Sequence, residues 1–526
     1  MPQFQTVVER VTTTHPGAEI WALTHEASGE QVRAAGARHV IGHRTGRLTA
    51  WRLGFARLWR LRRMRFDAVV IPLVDDNLRA GANLLRLAAI LAPSFVMIWP
   101  QPAAARTIDR SRLRWLAFSA TLNCPESIIT LVQMLRAVCR RRSARRTPAP
   151  GARLRVLHVI NSLGLGGAQV QFAELLNRTP PDEFDVEVLV LTDEGEFSRS
   201  RLLREDVPIT YVGDTSRILT PLAAISDHCA DGAYDVVHTW LPMANMLGSA
   251  AARLAGVPHI VISIRSLNPG CYPYYAQWWH RLGDVLAARL ADVVTVNAQP
   301  LVDDHARWAL MPRRRITVVH NGLSPDLSQE DLTASRRWLR SALGAHPDGV
   351  VIGTVGRLAV EKDQATFLRS LAALRRLNIE FRGVLVGAGR CEAPLRLLTS
   401  ELGLDDCVTF LGARADARRI IAGLDVLSLT SLGEGFPNVL LEAGLLGVPV
   451  VSTDVGGVSD LITDRAALFP PGDPDAAAAT LAATLRNGGH TTARTARLKA
   501  RCLELFTADR MAATWLALYR QDGHVR

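Results

Sequence analysis

Two cations near the middle of the chain stand where they could meet a phosphate group. Arg357 and Lys362 lie five positions apart, beside the strand-like segment GVVIGTVG at 349–356. Arginine presents a planar fork of donors, whereas lysine presents a compact charge on a flexible stem. Their spacing across a strand–loop–helix junction predicts that both reach one diphosphate.

The amino-acid composition makes the lysine the more informative of the two. Of the 61 lysines and arginines in the 526 residues, only Lys362 and Lys499 are lysines. Arginine is the default cation of this chain, so a lysine indicates a position that needs an ammonium group. We interpret Lys362 as functional and Lys499 as a solvated surface residue.

Two glutamates eight positions apart form a second candidate group. Glu434 lies in the loop SLGEGFPN at 431–438, and Glu442 lies in the apolar helical segment that follows. A buried carboxylate needs a partner, which could be the hydroxyls of a sugar such as ribose or an internal ion pair. The first backbone N–H groups of this helix, near 436–439, could hold a phosphate.

A glycine-rich turn, NSLGLGGAQ at 161–169, connects a strand-like segment to a helical one. Glycines there let a ligand approach the backbone, and the start of a helix favours an anion. Gly166 and Gly167 are therefore candidates for contacting a phosphate. A tight structural turn would need glycine as well.

The elements that must position these loops alternate between strands and helices. Strands are predicted at 154–160, 185–192, 235–240, 259–264, 292–297 and 315–320, and after a restart at 349–356, 381–387, 407–411, 425–430 and 448–452. Two consecutive Rossmann-like α/β domains explain this order best. A last helix at about 508–520 could pack back onto the first domain.

The first third of the chain differs from the rest in its charge. Residues 1–155 contain 25 arginines and 9 acidic residues, whereas the remainder contains 36 basic and 41 acidic residues. A nucleic-acid partner is therefore not expected for the main body, although the net charge is +11. A basic flank suits a surface of anionic lipid better.

Strand-like segments at 19–23, 68–73 and 95–99 alternate with helix-like runs at 50–65 and 78–91, which predicts an additional α/β domain. The apolar segment 113–139 then runs into a cluster of arginines. It could lie on a membrane surface, or it could be a core helix followed by a solvated linker. Prolines near 150 mark a domain boundary.

The seven cysteines are scattered, odd in number and free of a CxxC pair. This pattern argues against a disulfide framework or a zinc site and indicates a reducing compartment. The N-terminal sequence lacks the pattern of a signal peptide, and prolines interrupt the apolar stretch 87–105. We expect a cytoplasmic protein without a cofactor or a metal.

Residues 153–522 resemble the retaining GT-B glycosyltransferases of the large family numbered four. The resemblance rests on the GGAQ turn, GRLAVEK at 356–362, VGAG at 386–389, VTFLG at 408–412 and EGFPNVLLEAGLLGVPVVST at 434–453. The last segment carries the E-x7-E signature of that family and is the most specific of these motifs. His320-Asn321-Gly322 resembles the turn that leads to the interdomain linker.

The resemblance implies an α/β protein of the GT-B fold, with two Rossmann-like domains facing a cleft and an additional α/β N-terminal domain. The implied parts are an accessory domain at 1–150, an acceptor domain at 151–330, a nucleotide-sugar donor domain at 331–507 and a C-terminal helix at 508–526.

The resemblance also implies roles for the candidate residues. Arg357 and Lys362 would neutralise the departing diphosphate, and Glu434 would meet the transferred sugar. Glu442 would accept hydrogen bonds from the ribose. The other donor-side positions are Gly166, Gly167, Phe436, Pro437, Asn438 and Val439.

The acceptor side departs from the family pattern. The segment HTWLP at 238–242 has His238 but a tryptophan where many relatives have a second histidine, and Arg265 stands in the next loop. His238 is either an acceptor-side residue or a core-facing strand residue. Arg265 could bind a lipid diphosphate or an acidic sugar.

The implied enzyme is a glycosyltransferase of the hexosyltransferase type. It would move a sugar, with retention, from a UDP- or GDP-linked donor to a glycan or lipid-linked acceptor, in bacterial polysaccharide biosynthesis such as that of lipopolysaccharide or capsule. The expected location is the cytoplasm, peripherally on the inner membrane surface. The alternatives are a GT-B sugar-nucleotide epimerase and a non-catalytic sugar-nucleotide-binding protein.

Overall fold

The computed structural model divides the chain into two compact units, Met1–Ile129 and Thr130–Arg526. It describes residues 152–164, 166–192, 204–212, 219–268, 278–326 and 331–520, residue 137, and five short strands of the first unit.

The described strands of the first unit form two small sheets. The strands are β1 (Trp21–His25), β2 (His39–His43), β3 (Val69–Pro72), β4 (Phe95–Ile98) and β5 (Arg106–Ile108). β1 pairs in parallel with β2, β3 pairs in parallel with β4, and β5 is antiparallel to β4. The strands predicted near 19–23, 68–73 and 95–99 are present. The predicted helices and the apolar–basic flank lie outside the described residues.

The first half of the second unit contains a parallel sheet of seven described strands. In chain order these are β6 (Leu154–Ile160), β7 (Phe184–Val190), β8 (Ile209–Tyr211), β9 (Val236–Trp240), β10 (His259–Ile264), β11 (Val293–Val296) and β12 (Ile316–Val318). Their spatial order is β12-β11-β10-β9-β6-β7-β8. The described helices are α1 (Gly167–Asn177), α2 (Leu219–Gly232), α3 (Pro242–Ala255), α4 (Trp278–Leu290) and α5 (Pro300–Trp308).

The second half contains a parallel sheet of six strands. They are β13 (Val351–Val355), β14 (Arg382–Val386), β15 (Val408–Gly412), β16 (Val426–Leu429), β17 (Val450–Thr453) and β18 (Leu468–Phe469), in the spatial order β15-β14-β13-β16-β17-β18. The helices are α6 (Leu332–Ala342), α7 (Gln364–Arg376), α8 (Glu392–Glu401), α9 (Ala417–Gly423), α10 (Asn438–Leu446), α11 (Val458–Leu461), α12 (Pro474–Arg486), α13 (Gly488–Leu505) and α14 (Ala508–Arg520).

The central strands are apolar because parallel sheets bury both faces under helices. Every residue of β9 and of β16 is buried. The two sheets confirm the predicted Rossmann-like fold class, and the predicted strands of both sheets begin and end within two residues of their expected ends.

Each sheet reverses its strand order beside its first strand. β6 lies between β7 and β9, and β13 lies between β14 and β16. Ligands of such sheets bind outside the carboxyl ends of the strands at these reversals. The loops singled out in the sequence follow β6, β13 and β16, so the fold places all three at a reversal.

The last helix returns to the first sheet domain. Trp515 of α14 is fully buried in the same core cluster as Phe172 of α1. Arg520 Nε donates to a carboxylate oxygen of Glu183 at 3.0 Å. Helix α14 thus ties the end of the chain to the domain that begins at β6.

Candidate active site

The loop after β13 fixes the backbone of Lys362. Residues Val360–Lys362 form one turn of 3-10 helix, and Asp363 then takes a left-handed conformation with φ of 44°. The Asp363 carboxylate caps α7 by accepting the backbone N–H of Thr366 at 3.4 Å. Thr430, just after β16, donates its hydroxyl to the carbonyl oxygens of Lys362 at 3.2 Å and Asp363 at 2.9 Å. The loops after β13 and β16 are therefore joined directly.

Lys362 and Glu434 form an ion pair at the sheet reversal. Lys362 Nζ lies 2.5 Å from Glu434 Oε1, and the Ser431 hydroxyl donates to the same oxygen at 2.6 Å. The Glu434 side chain is 9% exposed and the Lys362 side chain 26%. A buried carboxylate is thus paired, as its burial requires, while the ammonium keeps one side open to a ligand.

Glycines allow the Glu434 loop to pack closely. A Cβ atom on Gly456 would lie 1.8 Å from the carbonyl oxygen of Glu434, and Gly456 has a φ of 51°. A Cβ atom on Gly435 would lie 2.4 Å from the carbonyl oxygen of Arg265, in the other sheet domain. The loop carrying Glu434 is therefore in backbone contact with the first domain.

Arg357 lies apart from the Lys362–Glu434 pair. Its side chain is 70% exposed, and its guanidinium lies 2.6 Å from Glu361 Oε1. Arg390 also approaches Glu361, with an N–O distance of 3.9 Å. The expected convergence of Arg357 and Lys362 on one diphosphate is thus absent from the described contacts. The i, i+4 pairing with Glu361 holds the Arg357 side chain at the surface.

The glycine-rich turn faces the start of α10. Gly166 precedes α1 in an extended conformation, and a Cβ atom on Gly167 would lie 3.3 Å from Asn438 Nδ2. The Asn438 amide donates to the carbonyl oxygen of Gly167 at 3.0 Å. The structure therefore brings together two helix N-termini that the sequence separates by 271 positions.

The residues between Glu434 and α10 differ in their exposure. Phe436 is 4% exposed, and its ring packs against His320 and Phe506 with ring-centre distances of 5.5 and 5.0 Å. Pro437 is buried as well, whereas Val439 is partly exposed at the start of α10. The Phe436 side chain thus packs between the domains. Its backbone, rather than its ring, could contact a nucleotide-sugar.

Glu442 lies one turn into α10 and is partly exposed, unlike the fully buried leucines before it. The carboxylate expected to be buried in this helix is thus only partly buried. Glu442 therefore lies on the same helix whose N-terminus faces the glycine-rich turn.

His238 lies in the core of the first sheet domain. It is fully buried, its Nδ1 lies 2.5 Å from the Tyr519 hydroxyl, and its ring centre lies 4.3 Å from that of Trp515. Burial lowers the pKa of His238, and burial lowers the pKa of the neighbouring His158 to about 3. This placement corresponds to the core-facing alternative rather than to an acceptor-side role.

Arg265 lies at the boundary between the domains. Its guanidinium donates to Asn321 Oδ1 and lies 5.3 Å from the centre of the Trp240 ring. Its Nε is buried without a hydrogen-bond partner. Burial lowers the pKa of Arg265 to about 9, so the group is charged at neutral pH.

Several residues of this region escaped the sequence analysis. Gln171, Asn321, Thr430 and Ser431 make contacts on which the site depends. Asn321 and Ser431 stand in segments that the sequence singles out, the His320-Asn321-Gly322 turn and the loop 431–438, although their own contacts were not predicted. Gln171 and Thr430 are ordinary polar residues whose partners are distant in the sequence.

Among the described residues, no group of three or more histidine, cysteine or acidic side chains could hold a metal ion. In the same part of the chain, no helix is long and apolar enough to cross a membrane.

Two family models match the two sheet domains. Residues 349–487 match the model described as "Glycosyl transferases group 1", and residues 165–327 match "Glycosyltransferase Family 4".

The curated relatives are similar over the same region. The Vi polysaccharide biosynthesis protein VipC/TviE of Salmonella typhi is 24% identical over 375 residues, which cover 63% of this chain and 64% of that protein. This chain therefore matches slightly less than two thirds of that relative's length. A D-inositol 3-phosphate glycosyltransferase of Mycolicibacterium vanbaalenii is 30% identical over 316 residues, which cover 56% of this chain and 68% of that protein.

A solved structure has the same fold. The crystal structure of HepE from Anabaena in complex with UDP-glucose aligns with a TM-score of 0.61 and 23% identity, covering 69% of this chain and 99% of that one. The two parallel-sheet domains thus have the GT-B arrangement.

Proposed function

Since this chain belongs to the glycosyltransferases described as group 1 and family 4, we propose that it transfers a hexose from a nucleotide-diphosphate sugar to a glycan or lipid-linked acceptor. The observation that carries this proposal is the ion pair of Lys362 and Glu434, 2.5 Å apart at the reversal of the donor-domain sheet. A cation for the diphosphate and a carboxylate for the sugar stand side by side there.

Lys362 would stabilise the leaving group. Negative charge develops on the diphosphate oxygens as the bond to the sugar breaks, and a fixed cation lowers the energy of that state. The N-terminus of α10 adds a positive helix end on the same side through its backbone N–H groups. Arg357 is exposed and paired with Glu361, so it would contribute only after its side chain moves.

Glu434 would hold the sugar while Lys362 holds the phosphate. Its Oε1 already accepts from Lys362 and Ser431, and its other carboxylate oxygen can accept from a sugar hydroxyl. The ion pair fixes the side chains of Lys362 and Glu434 before the donor arrives. Charges that are already oriented need little reorganisation during the reaction. Glu442, farther along α10, would accept from the ribose.

We further propose retention of the anomeric configuration. Attack would occur on the face from which the diphosphate leaves, with the departing phosphate oxygen taking the proton of the acceptor hydroxyl. The carbon–oxygen bond to the diphosphate breaks as the bond to the acceptor oxygen forms. Lys362 balances the charge on the departing group, and no metal is assigned to this step.

The proposed setting is bacterial cell-surface polysaccharide synthesis on the cytoplasmic membrane face. The name of the Salmonella relative refers to Vi polysaccharide biosynthesis, and the HepE complex contains UDP-glucose. These support a glycan product and a uridine donor. Arg265, charged and at the domain boundary, would meet an acidic group of the acceptor.

A screen of donors tests the proposal. UDP- and GDP-sugars would be tested for thermal stabilisation of the full chain, and stabilising donors would then be incubated with glycan and lipid-linked acceptors. Mass spectrometry should detect a product one hexose heavier and an equal amount of nucleoside diphosphate. An epimerised donor formed without acceptor would instead indicate a sugar-nucleotide epimerase. Binding without any product would indicate a non-catalytic binding protein.

A further inference from the structure

Three side-chain amides join the two sheet domains beside the proposed donor site. We call Gln171, Asn321 and Asn438 the amide cluster. Gln171 lies on α1, Asn321 lies just after β12, and Asn438 is the first residue of α10. Gln171 is 0% exposed and Asn321 is 3% exposed.

Asn438 is the centre of the amide cluster. Its Nδ2 donates to the carbonyl oxygen of Gly167 at 3.0 Å. Its Oδ1 accepts from Asn321 Nδ2 at 2.6 Å and from Gln171 Nε2 at 3.2 Å. The nitrogen and the oxygen of the Asn438 side-chain amide are therefore both hydrogen-bonded to residues of the first sheet domain or of the segment that follows β12.

The other two amides are bonded at both ends as well. Gln171 Oε1 accepts the backbone N–H of Gly322 at 2.8 Å. Asn321 Nδ2 also donates to the carbonyl oxygen of Phe436 at 2.9 Å, and its Oδ1 accepts from Arg265. A polar network in which every amide is hydrogen-bonded at both ends favours one arrangement, most strongly where its members are buried, as Gln171 and Asn321 are. The amide cluster therefore specifies one relative placement of α1 and α10.

We infer that the amide cluster is a closure latch, which holds the N-termini of α1 and α10 on either side of the donor diphosphate. Asn438 is then a positioning residue that acts through these two helices, and its side chain is not a donor contact. This inference rests on the proposed function, because it assumes that the diphosphate lies between the two helix N-termini.

A latch of this kind affects substrate binding in a characteristic way. When only a fraction of the molecules is closed, the apparent dissociation constant rises by the inverse of that fraction. At saturating donor the cleft closes regardless, so the turnover of the bound complex changes little. Loss of the latch should therefore raise the donor KM and leave kcat nearly unchanged.

Asn438→Ala is the direct test, with Asn245→Ala as its matched control. Asn245 is an amide with hydrogen bonds at both ends, to Thr239 and to the carbonyl oxygen of Ser263, but all these partners lie in the first domain. It is buried, whereas Asn438 is partly exposed. Calorimetric titration with UDP and with GDP would measure nucleotide affinity in the full chain. Hydrogen exchange of 167–177 and 438–446 would measure closure without any nucleotide.

Asn438→Ala should bind UDP or GDP at least about tenfold more weakly, with kcat within about twofold of the parent. It should also exchange faster in both helices, while Asn245→Ala matches the parent in these measurements. Unchanged exchange and unchanged affinity in Asn438→Ala would overturn the inference. If the parent binds neither nucleotide, the proposed function fails, and the exchange rates still decide whether the latch exists.

Gln171→Glu tests the latch through pH. An ionised carboxylate at 171 cannot donate to Asn438 Oδ1, whereas a protonated one can. Position 171 is fully buried, and burial raises the pKa of a carboxyl group. The affinity of this variant for UDP, relative to the parent, should therefore recover as the pH is lowered from 7.5 to 5.5. A constant ratio across that range would contradict a donating role for position 171.

Discussion

At the residue scale, the pairing of Lys362 with Glu434 defines the site. The lysine was identifiable from the sequence, since the chain has only one other lysine. Glu434 was identifiable from its motif, but its pairing with Lys362 was not, because the two residues are 72 positions apart and meet only where β13 and β16 lie side by side. The exposed position of Arg357 was equally unpredictable, since it depends on which way the side chain leaves the loop.

Lys362→Arg is expected to impair transfer although it keeps the charge. The Nζ–Oε1 distance of 2.5 Å and the 26% exposure leave little room for a planar guanidinium. We expect kcat to fall by about 10- to 100-fold, since displacement of a catalytic group by 1 Å can cost about 10² in rate. Steady-state kinetics with a saturating donor would measure it. Parent-like turnover would mean that the position needs only a positive charge.

At the element scale, the loops matter because they connect the two domains. The strands were predictable from their apolar runs, and the glycine-rich turn and the Glu434 loop from their motifs. The burial of Phe436 and the contacts of Asn438 were not, because both arise from the approach of one domain to the other. The sequence alone favours a ligand-binding role for such residues, because it does not show which separate segments lie close together.

Gly435→Ala should loosen the contact between the domains. The added Cβ atom would lie 2.4 Å from the carbonyl oxygen of Arg265, so one of the two backbones must move. We expect transfer to fall by about 10- to 100-fold. Gly488→Ala is the matched control, because nothing lies within 4 Å of its added Cβ atom. Equal kinetics for both variants would contradict a role for this contact.

His158 and His238, which pack against α14, should make the free energy of unfolding depend on pH. Burial lowers the pKa of His158 to about 3, against 6.5 for an ordinary histidine, so the folded state binds fewer protons than the unfolded state in this range. Stability is therefore expected to fall as the pH drops from about 6.5 towards 3, by about 1.4 kcal/mol per pH unit for this group.

Urea unfolding, followed by tryptophan fluorescence at several pH values, would measure this dependence. His158→Leu should be less stable at neutral pH, because Trp240 Nε1 loses its acceptor at 3.2 Å. Its stability should nevertheless vary less with pH below 6.5. The same pH slope in both proteins would show that His158 is not the group responsible.

At the scale of the whole molecule, the basic charge and the proposed transferase site lie in different parts of the chain. Residues 1–155 carry the arginine excess, whereas the two sheet domains have slightly more acidic than basic residues. The proposed donor site therefore uses local cations rather than the overall charge of the protein.

The first 150 residues are predicted to carry membrane association. Anionic lipid attracts each basic residue near the membrane surface by about 1 kcal/mol. Residues 156–526 have slightly more acidic than basic residues, so they would gain no net attraction of this kind. Fractionation of cells that express the full chain, or a chain starting at residue 151, would measure this. The full chain should sediment with membranes and the shortened chain should not. An unchanged distribution would contradict the assignment.

Transfer of a sugar from a nucleotide donor is proposed to depend on Lys362 and the loop of Glu434, and the most direct measurement compares Lys362→Ala with Lys499→Ala. Both variants remove one lysine, but Lys362 lies beside the strand reversal of the six-stranded sheet, whereas Lys499 lies on α13. Acceptor-dependent release of nucleoside diphosphate should fall by about 10²- to 10³-fold in Lys362→Ala and stay at the parent level in Lys499→Ala. Parent-like transfer by a folded Lys362→Ala protein would contradict the claim.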